Sequence, residues 1–151
     1  GSFYHFFSSK LHLCFALMEE EEQQKWKLLE RDGSPDPHEF FRGVRTLIEG
    51  SDLIHSIYRR GELEYLLRGM DAEYAETNRR GDDAFSEAVI ERWEKSGYRV
   101  SVTPEVLTDV LRSLFFVSLH RDEIGTDPED AMVLLYEAVS SVVADDGNYE
   151  R

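Results

Sequence analysis

Residues 103–120, TPEVLTDVLRSLFFVSLH, and residues 127–143, DPEDAMVLLYEAVSSVV, carry more apolar side chains than one buried helix face can hold. Each opens on a helix-start signature. Thr103-Pro104-Glu105 and Asp127-Pro128-Glu129 place an oxygen-bearing cap before a proline whose fixed φ suits the first turn. The first stretch then carries Val106, Leu107, Val110, Leu111, Leu114, Phe115, Phe116, Val117 and Leu119, and closes at Ile124-Gly125. The second carries Met132, Val133, Leu134, Leu135, Tyr136, Val139, Val142 and Val143, and ends at Asp145-Asp146-Gly147. A helix that packs on one side needs an apolar stripe about 100° wide, and both stripes are wider. Two long helices adjacent in sequence predict an antiparallel pair, and two such pairs across a two-fold axis make a four-helix bundle. On that reading the face toward a second copy is Val110, Leu114 and Val117 with Met132, Leu135, Tyr136, Val139 and Val143. The alternative left open is a helix central to one domain.

Working upstream, the chain continues to read as helix after helix, so the predicted class is all-α. Ser9 caps a long helix over residues 9–32, stopped at Asp32-Gly33-Ser34-Pro35, with a stripe of Leu11, Phe15, Met18, Glu22, Trp26 and Leu29. Asp36-Pro37 starts the next, with Phe40, Val44, Leu47 and Ile48 inside and Gly50 at its end. A third follows Ser51 or Asp52 with Leu53, Ile54, Ile57 and Tyr58. A break at Gly61 precedes a short piece with Leu63, Leu66 and Leu67. Residues 71–82 are polar and without period, and read as a fraying turn plus a loop ending at Gly81. Asp82 or Asp83 then caps a helix with Phe85, Val89 and Arg92 or Trp93, ending near Ser96-Gly97. Residues 98–102 are strand-like.

The 151 residues are expected to form one domain with a real core, and 41% hydrophobic with 32% charged residues is a globular balance. No apolar run is long enough for a bilayer. The apolar start lacks a charged leader and a small-residue cleavage site, so no secretory signal and no membrane association are expected, and the single cysteine fits a reduced, cytoplasmic setting. The single Cys14 excludes an internal disulfide and a zinc site built from several thiolates. The net charge of −14 argues against nucleic-acid binding over most of the surface, but it is uneven. Residues 1–18 hold only Lys10, whereas the remainder holds 16 basic and 31 acidic residues, net −15.

The opening, Gly1-Ser2-Phe3-Tyr4-His5-Phe6-Phe7-Ser8-Ser9-Lys10-Leu11, resembles a signature of the TetR family of bacterial transcription regulators. There a recognition helix ends in an aromatic run, and a Ser/Asn-Lys step caps the helix leading into the ligand-binding domain. Thr103-Pro104-Glu105-Val106-Leu107 through Leu119-His120-Arg121-Asp122-Glu123-Ile124-Gly125 is similar to the penultimate helix of many members, and Gly61-Glu62-Leu63-Glu64-Tyr65-Leu66-Leu67 is familiar from them too. The resemblance implies that residues 1–8 are the end of a helix-turn-helix whose earlier helices would lie upstream of Gly1. Residues 9–151 are then a ligand-binding and dimerisation domain, with 9–32 linking the two.

It further implies DNA contact by Ser2, Tyr4, His5 and Lys10 in the full-length protein. Tyr4 and His5 bring donors, and Lys10 sits at a helix start beside free backbone N–H groups, a combination that favours phosphate. Read without the resemblance, Phe3, Phe6 and Phe7 form a small aromatic core with Tyr4 at its rim. The implied cavity draws on Phe15, Met18 and Trp26 of the linking helix, and on Phe40, Val44, Ile57, Tyr58 and Tyr65 of the next helices. Phe85, Trp93, Phe115 and Phe116 complete it, a lining suited to a small, largely apolar or aromatic effector. Effector binding that favours one tilt of the linking helix would change the spacing of two recognition helices in a homodimer, and so release operator DNA.

No phosphate-cradling glycine loop, HExxH or Cys/His ligand cluster is present in the sequence. The five histidines are scattered, Cys14 has no basic activator, and the carboxylates are too numerous for any pair to be specific. No catalytic residue, metal site or cofactor is therefore assigned. Glu22, the polar member of its stripe, is either a solvated edge residue or the partner of a cation beside Trp26. Two competing readings are an acidic all-helical protein-interaction module without DNA binding and a helical-bundle enzyme.

Overall fold

Asp36 caps one of the longer helices of the fold. A computed structural model describes residues 20, 22–30, 36–51 and 72–146. The Asp36 carboxylate accepts from the Glu39 N–H at 2.8 Å, and Pro37 fills the first turn of a helix over Pro37–Gly50. That helix is α2; α1 is the helical segment 22–30 before it. α3 spans Ala72–Lys95 and is followed by Gly97, whose φ of 92° lies in the left-handed region that glycine enters without a Cβ clash. Two extended residues, Arg99–Val100 (β1), lead to α4 over Pro104–Leu119, where the Thr103 hydroxyl accepts from the Val106 N–H at 3.3 Å. A single turn, α5 (Arg121–Ile124), precedes α6 (Glu129–Val143), and Ala144–Asp145 form β2.

The described chain is predominantly α-helical, as its periods predict. The expected strand-like link appears as β1, but it is only two residues long. Its antiparallel partner is β2, in register Arg99↔Asp145 and Val100↔Ala144. The Ser101 N–H and hydroxyl both donate to the Val143 carbonyl, at 2.9 and 3.1 Å, so the two ends of this region are stitched at the close of α6.

Two expectations are corrected by the fold. The first concerns Gly81, read as the end of a loop but lying inside α3. A glycine in a helix is worse than alanine by only about 1 kcal/mol, and Phe85, Val89 and Trp93 anchor the helix just beyond it. Residues 79–81 lack apolar character because that stretch faces solvent, not because the helix stops. The second concerns the last two long helices. They are not each other's main neighbours: α6 lies chiefly on α2, α4 chiefly on α3, and the direct contact of α4 with α6 is slighter. The reason is that α2 takes up most of the inner side of α6, and α3 most of that of α4. The helix from Pro104 also pauses at His120 before reaching Gly125 through α5.

The core joins all the longer helices. Leu28 and Leu29 come from α1, Phe40, Phe41, Val44 and Ile48 from α2, and Phe85, Val89, Ile90 and Trp93 from α3. Leu107 and Leu114 of α4 and Met132, Tyr136 and Val143 of α6 close it. The helices predicted between Asp52 and Leu67, and the start of the linking helix at Ser9, lie outside the described residues.

Candidate functional site

Of the rings expected to line a cavity, Trp26, Phe40, Phe85 and Trp93 are brought together, in direct contact with one another. On α3, Phe85, Val89 and Trp93 recur every four residues and so share one face. On α2, Phe40 and Phe41 meet that face. Phe40 stands edge-on to Phe41 and Trp93, with centroids 5.4 and 5.3 Å apart, and lies 6.1 Å from Phe85. Trp26 of α1 stands edge-on to Phe85 at 5.3 Å, and Phe41 lies 6.1 Å from Trp93. These are the contact distances of aromatic pairs in a packed interior. Val44 is buried in the same core.

Phe115 and Phe116 pair with each other at 5.8 Å, and Phe116 is half exposed on the outside of α4, away from that cluster. Phe15, Met18, Ile57, Tyr58 and Tyr65 lie outside the described residues, as do Ser2, Tyr4, His5 and Lys10. A surface hollow of about 300 Å³ lies between α1 and α2, lined by Gln24, Lys27, Leu28, Glu30 and Leu47. None of the expected lining residues contributes to it.

Polar groups tie the helices at two places that sequence reasoning does not reveal. At the seam of α2 with α6, Glu137 receives Arg42 Nε at 3.0 Å and His38 Nδ1 at 2.8 Å. Ser140 Oγ lies 2.7 Å from the same His38 nitrogen and donates to the Glu137 carbonyl at 2.9 Å. The carboxylate only accepts, so Nδ1 carries the proton and is shared by both oxygens. A serine, a histidine and a carboxylate therefore meet, but on one ring nitrogen and with Ser140 fully buried, so no proton relay to a nucleophile is built. Partial desolvation works against ionisation of Glu137, yet Arg42 and His38 outweigh it and hold the carboxyl below its ordinary range. Further along, Arg45 reaches Glu49 at 3.0 Å and Glu129 at 2.6 Å, and Arg121 reaches Glu49 at 3.3 Å.

The second place joins α1, α3 and α4. Lys25 lies between Glu22, at 2.7 Å, and Asp82, at 3.2 Å, and Arg112 meets the other oxygen of Asp82 at 2.8 Å. Glu22 is thus a partly exposed partner of the chain's own lysine. Beneath this network the buried Ser86 and Thr108 hydroxyls bond at 2.8 Å. Among the described residues no group of three or more His, Cys, Asp or Glu side chains is arranged to hold a metal ion. Among them too, no helix is long and apolar enough to cross a membrane.

The residues expected at a dimer interface divide in two. Leu114, Met132, Tyr136 and Val143 are at most 3% exposed and belong to the protomer's own core, and Tyr136 bonds Ser118 inside it at 2.7 Å. Burial pushes the Tyr136 hydroxyl above its usual pKa, with the Ser118 bond acting the other way. Val110, Val117, Leu135 and Val139 are half-buried beside that core. The large apolar residues open to solvent are others: Val142 at 73%, Leu134 at 71%, Ile124 at 51%, Phe116 at 50%, Val106 at 45% and Val133 at 43%. On α6 the exposed Ala131, Leu134, Ala138 and Val142 recur at steps of three and four, which makes one outer stripe. The excess apolar character read from the sequence is real, but most of it lies off the buried face that Met132, Tyr136 and Val143 make.

Compared with known protein families, curated proteins and solved structures, the chain matches none in any of the three.

Proposed function

We propose that this chain is the regulatory part of a TetR-like transcription regulator, a repressor acting in the cytoplasm as a homodimer. A small, largely apolar or aromatic effector would release it from operator DNA. The observation that supports the reading is the outer stripe of α6, with Leu134 and Val142 among the most exposed large apolar residues described. A contiguous apolar strip on an exposed helix face is a place where a second surface removes water. Its small neighbours Ala131 and Ala138 let another helix approach closely. The resemblance of residues 1–11 supplies the DNA-reading end. Because the rings of α1, α2 and α3 already touch, an effector in this region would part them or lie beside them.

Sedimentation of the full-length protein tests the reading. A stable dimer is expected. Leu134→Asp combined with Val142→Asp should give a monomer of unchanged helix content, because both side chains are already in water in the protomer. A wild-type monomer would overturn the dimer and favour the second reading, an acidic interaction module without DNA binding. That second reading is supported by the net charge of −14, which suits a basic partner.

A further inference from the structure

α1 is attached to the body in two chemically different zones. Its carboxyl-terminal part is held by carbon: Leu28 and Leu29 are buried, and an added Cβ at Gly43 of α2 would lie 3.0 Å from a Leu28 methyl. Its middle is held by charge beside one ring, Trp26, which stands edge-on to Phe85 of α3. Lys25 Nζ contacts Asp82 of α3 and Glu22 of its own helix, and lies 4.6 Å from the centroid of the Phe85 ring. Asp82 divides its two oxygens between helices, Oδ1 to Lys25 and Oδ2 to Arg112 of α4. One carboxylate therefore joins three helices. The Asp82 carbonyl also accepts from Thr108 at 3.4 Å, so its backbone is tied to α4 whatever its side chain does.

The two zones respond to different influences. Burial of Leu28 and Leu29 is indifferent to salt, whereas Lys25 and Asp82 side chains are 24% and 22% exposed and are partly screened. Asp82 holds two cations at once and Lys25 two carboxylates, so parting Asp82 from Lys25 would leave Arg112 on the one and Glu22 on the other.

We propose that Asp82 is the catch of a conformational device: closed on Lys25, it holds the middle of α1 against α3 and α4, and opened, it lets α1 pivot about Leu28 and Leu29. Its use rests on the function proposed above, in which the direction of the linking helix sets the separation of two DNA-reading ends. The catch itself does not depend on that function. Any shift of α3 relative to α4 changes how Asp82 is shared, and so is transmitted to α1.

Hydrogen exchange on the full-length protein tests the catch. Asp82→Asn and Lys25→Met should each raise amide exchange over residues 22–27 by roughly three- to tenfold, as local opening of one helix segment does. The amides of α2 and α6 should be unchanged. Lys25→Arg should restore protection, and about 1 M salt, where the Debye length is ~3 Å, should loosen the wild type in the same segment. Unchanged exchange at 22–27, or an equal rise in α2 and α6, would overturn the proposal. Distances between spin labels at Glu20→Cys, in a Cys14→Ser background, separate the two ideas. A broader distribution in Asp82→Asn is expected, and one identical to wild type overturns the pivot. Absence of any signal between protomers defeats the dimer instead, and leaves exchange to decide the catch.

Discussion

Along α2, Phe40 and Phe41 meet α3 through interlocked rings, whereas His38, Arg42 and Arg45 meet α6 through ions. The first seam is dry: Phe40, Phe41, Phe85 and Trp93 are each 1% exposed. The second is wet, with the Arg42 side chain 65% and Glu137 35% exposed. Burial of carbon contributes most of the holding energy in such a fold, while half-exposed ion pairs contribute little and serve more to fix which faces meet. The aromatic seam therefore determines whether the helices stay together. The ionic seam helps determine how α6 is seated on α2.

Breaking the dry seam should have the largest effect. Trp93→Ala should lower the unfolding free energy by about 3–5 kcal/mol, the range for truncating a buried aromatic ring, read by urea titration of far-ultraviolet circular dichroism. Intermediate in size is Tyr136→Phe, which leaves the buried Ser118 hydroxyl without its partner. It should cost about 1–2 kcal/mol in the same assay, and a smaller loss would mean that Ser118 finds another partner. Gly81→Ala sharpens the comparison with the opposite sign. Nothing lies within 4 Å of the added Cβ, so a continuous α3 predicts a gain of about 1 kcal/mol, whereas a loop there would show none.

Glu137→Gln should have the smallest effect on the wet seam, and one that depends on pH. The folded carboxyl titrates below its ordinary range, so the unfolded chain takes up this proton first as pH falls. The stability it contributes is present above the unfolded pKa and is lost as pH drops through the folded one. Thermal midpoints measured from neutral to acid pH should therefore fall less steeply in Glu137→Gln than in wild type. Equal slopes would mean that the Arg42 and His38 bonds do not persist in solution.

The helix starts at Asp36 and Thr103 are legible in the sequence because capping is local: one side chain and a backbone N–H three residues on. The core period Phe85, Val89, Trp93 is legible for the same reason. The continuity of α3 is not, because a solvated helical turn and a polar loop share one composition. Nor is the partner of each helix, since an apolar face says that it is covered and not by what. Tyr136 and Leu134 look alike as apolar positions, yet one is buried against the protomer and the other faces water. Asp82 or Asp83 is read as a helix cap, yet Asp82 lies inside α3. Its bonds to Lys25, 57 residues away, and Arg112, 30 residues away, have no trace in any local pattern.

The seating of α6 on α2 spans nearly the whole described chain, with His38 and Glu137 separated by 99 positions. During synthesis α2 leaves the ribosome long before its cover exists, and Tyr136 and Val143 arrive among the last described residues. Contacts so distant along the chain delay completion of the native state and favour slow maturation over early, piecemeal folding. A nascent chain stalled before Glu129 should therefore remain protease-sensitive and bind chaperones through the bare side of α2. Release of α6 should convert it within one cooperative step.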